Sequence, residues 1–247
     1  QMDLNLDILI YPDIGMNPFT NAMALYRIAP IQINTWGHSV SSGIENIDYY
    51  ISSKFYEIDN LEKAQENYSE KLIAQDSLCT YYTPYEFDYF KTRRQLALPE
   101  NRPILFCIQN VKKLNLEFFN VLKKIITACP NVLILLKKDF LTKERINYIL
   151  NYIYDGKSKN NIVFIDYCST YDYHCYIYNS VLVLDTYPFC GCNTSLEAFS
   201  LNKVVVTRPS EYLYGRFTYG FYKKMGIDEP IVHNYNDYYD KVLYYLN

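Results

Sequence analysis

The stretch from Val181 to Arg208 constrains the fold most. Val181, Leu182, Val183 and Leu184 form an unbroken apolar run that stops at Asp185. Such a run predicts a parallel strand covered on both faces. Pro188 and Gly191 make the following segment a loop. Asn193, Thr194 or Ser195 can cap a helix that continues through Leu196, Glu197, Ala198, Phe199 and Leu201, and Val204–Val206 returns as a strand. A helix starting at the carboxyl end of a parallel strand points free N–H groups and its positive dipole end into the crevice above the sheet. Phosphates bind at such places in α/β folds. The Thr194 and Ser195 hydroxyls add donors, and Glu197 can accept from a ribose hydroxyl. An ordinary capped helix with no ligand is the simpler reading of the spacing alone, because capped βα turns are common.

The rest of the chain alternates in the same way. Asp7–Tyr11, Ile31–Thr35 and Ile47–Ile51 read as strands, with a helix starting at Thr20 and a mixed, charged segment, Leu61–Ala74, read as helical. Tyr81–Pro103 is polar and irregular and reads as a join between two lobes. Beyond it come strands at Ile104–Ile108, Val132–Leu136 and Ile162–Ile165. Helices are expected at Leu116–Ala128, Lys143–Tyr154, Tyr171–Asn179, Tyr212–Met225 and Tyr235–Leu246. The fold class is therefore α/β with parallel sheets, in two parts: residues 1–85, too short for a complete nucleotide-binding lobe, and 86–247.

Composition excludes several functions. A net charge of −3 over 247 residues gives no basic footprint for nucleic acid. No apolar run is long enough to span a bilayer, and no leader is visible, so no membrane partner is expected. The start at Gln1 rather than Met suggests a piece of a longer polypeptide. The 7 cysteines are odd in number and contain no CxxC pair, so neither a disulfide framework nor a zinc site is indicated, and a reducing, cytoplasmic location is expected. There is no GxSxG, P-loop or HExxH string.

Candidate residues are few. His38 follows Gly37 in a loop after a strand, where functional groups often sit, although a hydrogen-bonded loop histidine fits equally. Gln109 and Lys112 follow the first strand of the second part, and the lysine there can pair with a diphosphate; a solvated lysine is the simpler reading. His174 has no metal-spaced partner and reads as structural.

Several strings occur together in order. They are Asp7–Met16, Arg27–Gln32, Trp36-Gly37-His38 with Ser41-Ser42-Gly43, Ile47–Tyr50, Tyr68–Leu72, Asp185-Thr186, Gly191–Ala198, Val205–Thr207 and Gly215–Thr218. Together they resemble the O-linked N-acetylglucosamine transferase family, especially its bacterial SPINDLY-like members, over nearly the whole chain. The resemblance implies a GT-B architecture of two Rossmann-like lobes with the N-terminal lobe truncated. It implies an inverting, metal-independent glycosyltransferase moving N-acetylglucosamine from UDP-N-acetylglucosamine to a Ser or Thr hydroxyl of a protein or peptide. The UDP-sugar is then a substrate, and no cofactor is expected. By the resemblance Gly37 lines the sugar in a loop where His38 and Ser39 replace an aromatic residue and a proline. Gln109 and Lys112 keep a Gln-x-x-Lys spacing whose lysine meets the diphosphate, which makes Lys112 and His38 the catalytic candidates. Asn193, Thr194 and Ser195 match a His-Thr-Thr phosphate turn, and Glu197 stands for a ribose-binding aspartate. Cys168, Ser169, Thr170, Tyr173, His174 and Tyr176 occupy the uracil side, where the family carries lysine, histidine and arginine. The family's N-terminal lobe begins before this chain does, with tetratricopeptide repeats further upstream and a histidine near the acceptor. A nucleotide-sugar-binding module without turnover and a GT-B sugar epimerase are the alternatives.

Overall fold

The computed structural model describes residues 5–139, 141–155 and 160–246. The chain divides into two compact units, Gln1–Tyr81 with Ser210–Gly226, and Tyr82–Pro209 with Ile227–Asn247.

The first unit is built on a four-stranded parallel sheet in the order β1 (Ile8–Tyr11), β2 (Ile31–Thr35), β3 (Tyr49–Ser53) and β4 (Lys71–Gln75). Helix α1 (Pro18–Ala24) connects the first two strands. It is capped by Asn17, whose side chain accepts from Phe19 N, and Pro18 stands in its first turn, where its missing N–H costs nothing. The start expected at Thr20 lies inside it. The helix expected over Leu61–Ala74 is only α2 (Leu61–Gln65), and the rest turns into β4. Gln65 ends the helix by donating from Nε2 to the carbonyls of Tyr68 and Glu70 and accepting at Oε1 from Leu72 N. Of the charges that resemble a solvated helix face there, Glu66 is exposed after the helix, Lys71 stands on the edge strand, and Glu70 is buried.

The second unit carries a five-stranded parallel sheet. It contains β5 (Ile104–Cys107), β6 (Leu133–Lys137), β7 (Ile162–Ile165), β8 (Leu182–Leu184) and β9 (Val205–Val206), in the order β7-β6-β5-β8-β9. The expected central strand is β8: all three residues are buried, and it pairs with β5 on one side and β9 on the other. Helices α3 (Leu116–Ala128), α4 (Lys143–Tyr154), α5 (Thr170–Asn179), α6 (Asn193–Ser200) and α8 (Tyr235–Leu246) surround the sheet, and Phe118, Leu122, Ile134, Leu182 and Tyr238 share one core. The chain runs from β5 outward to β7, then returns to the other side of β5 to form β8. The carboxyl ends of β5 and β8 are thus a topological switch point, where a crevice opens between diverging connections.

Helix α7 (Phe217–Met225) groups with the first unit and not with the second lobe expected to run from 86 to 247. The reason is a buried cation. The Arg216 guanidinium donates to the carbonyls of Tyr56 (2.6 Å), Glu57 (3.0 Å) and Ser210 (3.0 Å). Gly220 allows Tyr56 to approach, since a Cβ there would lie 2.4 Å from the tyrosine ring. Phe217 and Phe221 meet the same ring edge-on. The segment expected as one helix from Tyr212 is a 3-10 turn over Leu213–Gly215, then α7.

Replacing Arg216 with Ala leaves these carbonyls without their shared donor, each such charged hydrogen bond being worth about 1.5–3 kcal/mol. The expected loss is at least about 3 kcal/mol, and Arg216→Lys recovers little, because an ammonium lacks the planar fork. Urea unfolding of the three proteins measures it; equal midpoints for wild type and Arg216→Ala contradict the assignment.

Candidate functional site

The crevice at the switch point is framed by the loop after β5 and the loop after β8. Asp185, directly after β8, is buried. Its Oδ1 accepts from Thr186 N (2.9 Å) and Gly191 N (2.8 Å), and its Oδ2 from Thr207 Oγ1 (2.8 Å). The carboxylate folds the loop back so that Gly191 delivers the chain to α6. At Gly191 a Cβ would sit within 2.6 Å of Gln109 Nε2, Ser195 Oγ and Thr194 Oγ1, so a side chain there would displace the groups at the turn.

Helix α6 begins at Asn193, as the sequence suggests, but its cap position is Cys192, and no side chain caps it by a hydrogen bond. Asn193 is exposed, Thr194 half-buried and Ser195 buried. Thr194 Oγ1 accepts from Gln109 Nε2 at 2.9 Å. Gln109 Oε1 in turn accepts from Nζ of Lys113 at 2.9 Å, and the same ammonium donates to Cys190 O at 2.8 Å and lies over the Phe189 ring. The lysine that reaches the turn is therefore Lys113. Lys112 is exposed, with its backbone N–H bonded to the Asn110 side chain. The choice between two adjacent lysines is made by the 3-10 turn over Val111–Lys113. Burial pushes the Lys113 ammonium below its ordinary value.

Beside this turn lies a cleft of about 290 Å³ that brings together Cys168, Thr170, Tyr173, Thr194 and Glu197 of the expected set. Its walls also include Tyr85, Phe106, Lys137, Asp139 and Asp166, which the sequence reading did not single out. The available signal was position: Lys137 ends β6, and Asp166 directly follows β7. Burial raises the Glu197 carboxyl above its usual range, opposed by Tyr173, His174 and Lys137 beside it. His174 is not part of the cleft wall. It is buried, its Nδ1 is 2.7 Å from Thr170 O, and its ring packs among Tyr85, Phe87 and Tyr173.

Gly37 and His38 belong to the first unit. A Cβ at Gly37 would lie 1.7 Å from Pro12 O, so the glycine admits a close backbone crossing. His38 packs on Gly15 and, with Asn21, Ser41 and Ser42, lines a hollow of about 540 Å³. Its carbonyl accepts from Tyr50 OH at 3.0 Å. The loop after His38 is held by the buried Glu70: Oε1 accepts from Ser42 N (2.8 Å) and Ser42 Oγ, and Oε2 from Ser41 Oγ (2.7 Å). Burial alone would raise the Glu70 carboxyl, but the hydrogen bonds from Ser42 and Ser41 outweigh it and leave its pKa below the ordinary value.

Two substitutions test this scaffolding. Asp185→Ala strands buried donors and is expected to cost about 3–5 kcal/mol. Asp185→Asn keeps one oxygen for the two amides and lets the Thr207 hydroxyl reverse, at about 1 kcal/mol. Equal losses in denaturant melts contradict this account. Because Glu70 is depressed, its contribution is present above the unfolded glutamate value of about 4.3 and is lost as pH falls through the folded value. Glu70→Gln is therefore less stable than wild type at pH 7, and the gap closes in acid; a gap that widens on acidification refutes the assignment.

No family model matches this chain. It is 25% identical, over an alignment of 250 residues, to a protein of Arabidopsis thaliana described as probable UDP-N-acetylglucosamine--peptide N-acetylglucosaminyltransferase SEC, covering 92% of this chain and 24% of that protein. Among solved structures, a K341M mutant of the Thermobaculum terrenum O-GlcNAc transferase superposes with a TM-score of 0.81 at 20% identity, covering 97% of this chain and 45% of that one. The sucrose-phosphate synthase of Thermosynechococcus elongatus gives a TM-score of 0.63 at 13% identity, over 97% and 64%. The chain thus spans about a quarter of its curated relative and under half of the first structural one. The fold is that of the GT-B glycosyltransferases, and these likenesses support the O-linked N-acetylglucosamine transferase family. Among the described residues no helix is long and apolar enough to cross a membrane.

Proposed function

We propose that this chain is the nucleotide-sugar-binding portion of a cytoplasmic glycosyltransferase that moves N-acetylglucosamine from its UDP donor to a Ser or Thr hydroxyl of a protein, with inversion and without a metal ion. The observation that carries the reading is the relay Lys113–Gln109–Thr194 at the N-terminus of α6, on the switch point between β5 and β8. A cation, a side-chain hydroxyl and a helix dipole converge there, the combination that binds a diphosphate. The aromatic walls of the neighbouring cleft, Tyr85, Phe106 and Tyr173, suit a base, and Glu197 suits a ribose hydroxyl. Cys168 and Thr170 are assigned to the base side, and Asn193 and Ser195 to the phosphate side. Gly37 and His38 are assigned to the sugar or acceptor.

In the transfer the acceptor oxygen attacks C1 of the sugar and loses its proton, and the C1–O bond to the diphosphate breaks. The electron pair goes to the leaving phosphate oxygen. Charge grows on that oxygen in the transition state, so donors already fixed around it lower the barrier more than they strengthen ground-state binding. Lys113 is already held by two neutral carbonyl oxygens, and little reorganisation is needed when the anion arrives.

Calorimetric titration of UDP into the chain is the first test, and binding is expected. Lys113→Ala is expected to weaken it by about 1.5–3 kcal/mol, the range of a charged hydrogen bond. Lys112→Ala and His38→Ala should each change it by less than about 0.5 kcal/mol, as for side chains outside the phosphate turn. Loss of binding in Lys112→Ala with retention in Lys113→Ala would reverse the assignment. Labelled UDP-sugars then separate transfer to protein from epimerisation or binding alone, and a chain that binds no nucleotide ends the proposal.

A further inference from the structure

The cation on the wall of the cleft beside α6 is Lys137, and the transfer chemistry above gives it no task. It ends β6, whose other residues, Leu133 to Leu136, are all buried. The next residue, Lys138, is closed off by an ion pair with the Asp166 carboxylate. Lys137 has no such close partner. It reaches Asp139 Oδ1 only at 3.5 Å, and its ammonium makes no hydrogen bond among the described residues. Asp139 is engaged elsewhere, its Oδ2 accepting from Val111 N at 3.3 Å.

Place in the sheet decides which part of a ligand this ammonium meets. Thr194 marks the phosphate end, above β8, with Gln109 and Lys113 from the loop after β5. The order β7-β6-β5-β8-β9 puts Lys137 one strand beyond β5, and Asp166 to Cys168, after β7, one strand further. The electrostatics agree. Burial and Asp172 raise the Cys168 thiol, and Lys137 opposes them. Burial raises the Glu197 carboxyl, and Lys137 is among the groups that oppose it. Lys137 thus stands between the carboxyl assigned to the ribose and the loop at the far end, on the same wall as Tyr85, Phe106 and Tyr173. Cys168, Thr170 and Tyr173, already assigned to the base side, bring no positive charge there.

An ammonium donates and cannot accept. Between aromatic walls its match is a lone pair on the edge of a flat ring. We propose that Lys137 reads the base of the nucleotide: it donates to the C4 carbonyl oxygen of uracil and selects against cytosine, which carries an amino group at that position. The inference rests on the donor reading. The C2 carbonyl, which both bases share, lies beside the glycosidic bond, on the side of Glu197 and Thr194. An amino group facing the ammonium leaves two donors without an acceptor, and a site discriminates most strongly against a ligand that leaves its polar groups unpaired.

The test is calorimetric titration of UDP and of CDP into the whole chain and two variants. Wild type should bind UDP about tenfold or more tightly than CDP, the worth of one charged hydrogen bond. Lys137→Met should weaken UDP by about tenfold and leave CDP within about threefold, so that the preference disappears. Lys137→Gln should still bind both nucleotides and lose the preference, because its amide can donate to uracil or accept from cytosine; a misfolded variant would bind neither. Three results overturn the inference and leave the donor reading standing. They are equal affinities of wild type for UDP and CDP, a preference retained in Lys137→Met, and an equal loss for the two nucleotides, which marks a contact to the phosphates. A wild-type chain that binds neither nucleotide ends both.

Discussion

The buried carboxylate of Asp185 is the interaction on which the second unit's working end depends. It takes an amide from each end of the loop, Thr186 and Gly191, and a hydroxyl from Thr207 beyond β9. Its own backbone is held too: its N–H donates to Val206 O at 3.0 Å, and its carbonyl accepts from the buried Tyr238 hydroxyl of α8 at 2.8 Å. One residue thus ties together two strands, the loop and a helix. A charge left uncompensated at this depth would be prohibitive, so the surrounding donors make the ionised form tolerable. The same bonds set where α6 starts, and with it the direction of its free end.

The first unit is also organised by buried polar groups. Gln32 is fully buried, its Oε1 accepting from Ile28 N and its Nε2 donating to the carbonyls of Tyr26 and Asn46. Glu57 accepts from Ser52 Oγ and Tyr68 OH, and burial leaves its carboxyl above the usual range. Glu70, with more donors aimed at it, lies below the range. In both, burial raises the carboxyl and hydrogen bonds from hydroxyls lower it, and the balance falls on opposite sides. Such networks fix geometry more sharply than an apolar core, because each member satisfies a specific neighbour.

These differences explain what the sequence made legible. The strand at Leu182–Leu184 was readable because an apolar run ending in an acidic residue has few other solutions, and the glycine-to-helix turn at Gly191–Asn193 was readable from its punctuation. Strand β4 was not, because it is a half-buried edge, Lys71–Gln75, that follows the charged run Glu62, Lys63, Glu66 and Glu70, which reads as a solvated helix face. The return of Ser210–Gly226 to the first unit was not either. It rests on Arg216 reaching carbonyls 160 residues away in sequence, and no local pattern encodes that. Gln109, singled out with the turn around Asn193, Thr194 and Ser195, donates to Thr194 at the start of α6. The lysine whose Nζ bonds to Gln109 is Lys113, the neighbour of the expected Lys112, since a 3-10 turn rotates successive side chains by about a third of a circle.

That one-residue difference bears on how such a crevice can work. Lys112, in water, would meet an anion only after shedding its hydration and ordering a flexible side chain, which offsets much of the attraction. Lys113 is half-buried, burial lowers its pKa while the Asp185 carboxylate opposes that shift, and its contacts with Gln109 and Cys190 are to neutral oxygens. Its ammonium is therefore fixed in direction by those two contacts. An anion placed there would restore the ordinary stability of the ammonium, raising its pKa as it binds. The cost of burying Lys113 is in this way offset by any anion that binds beside it.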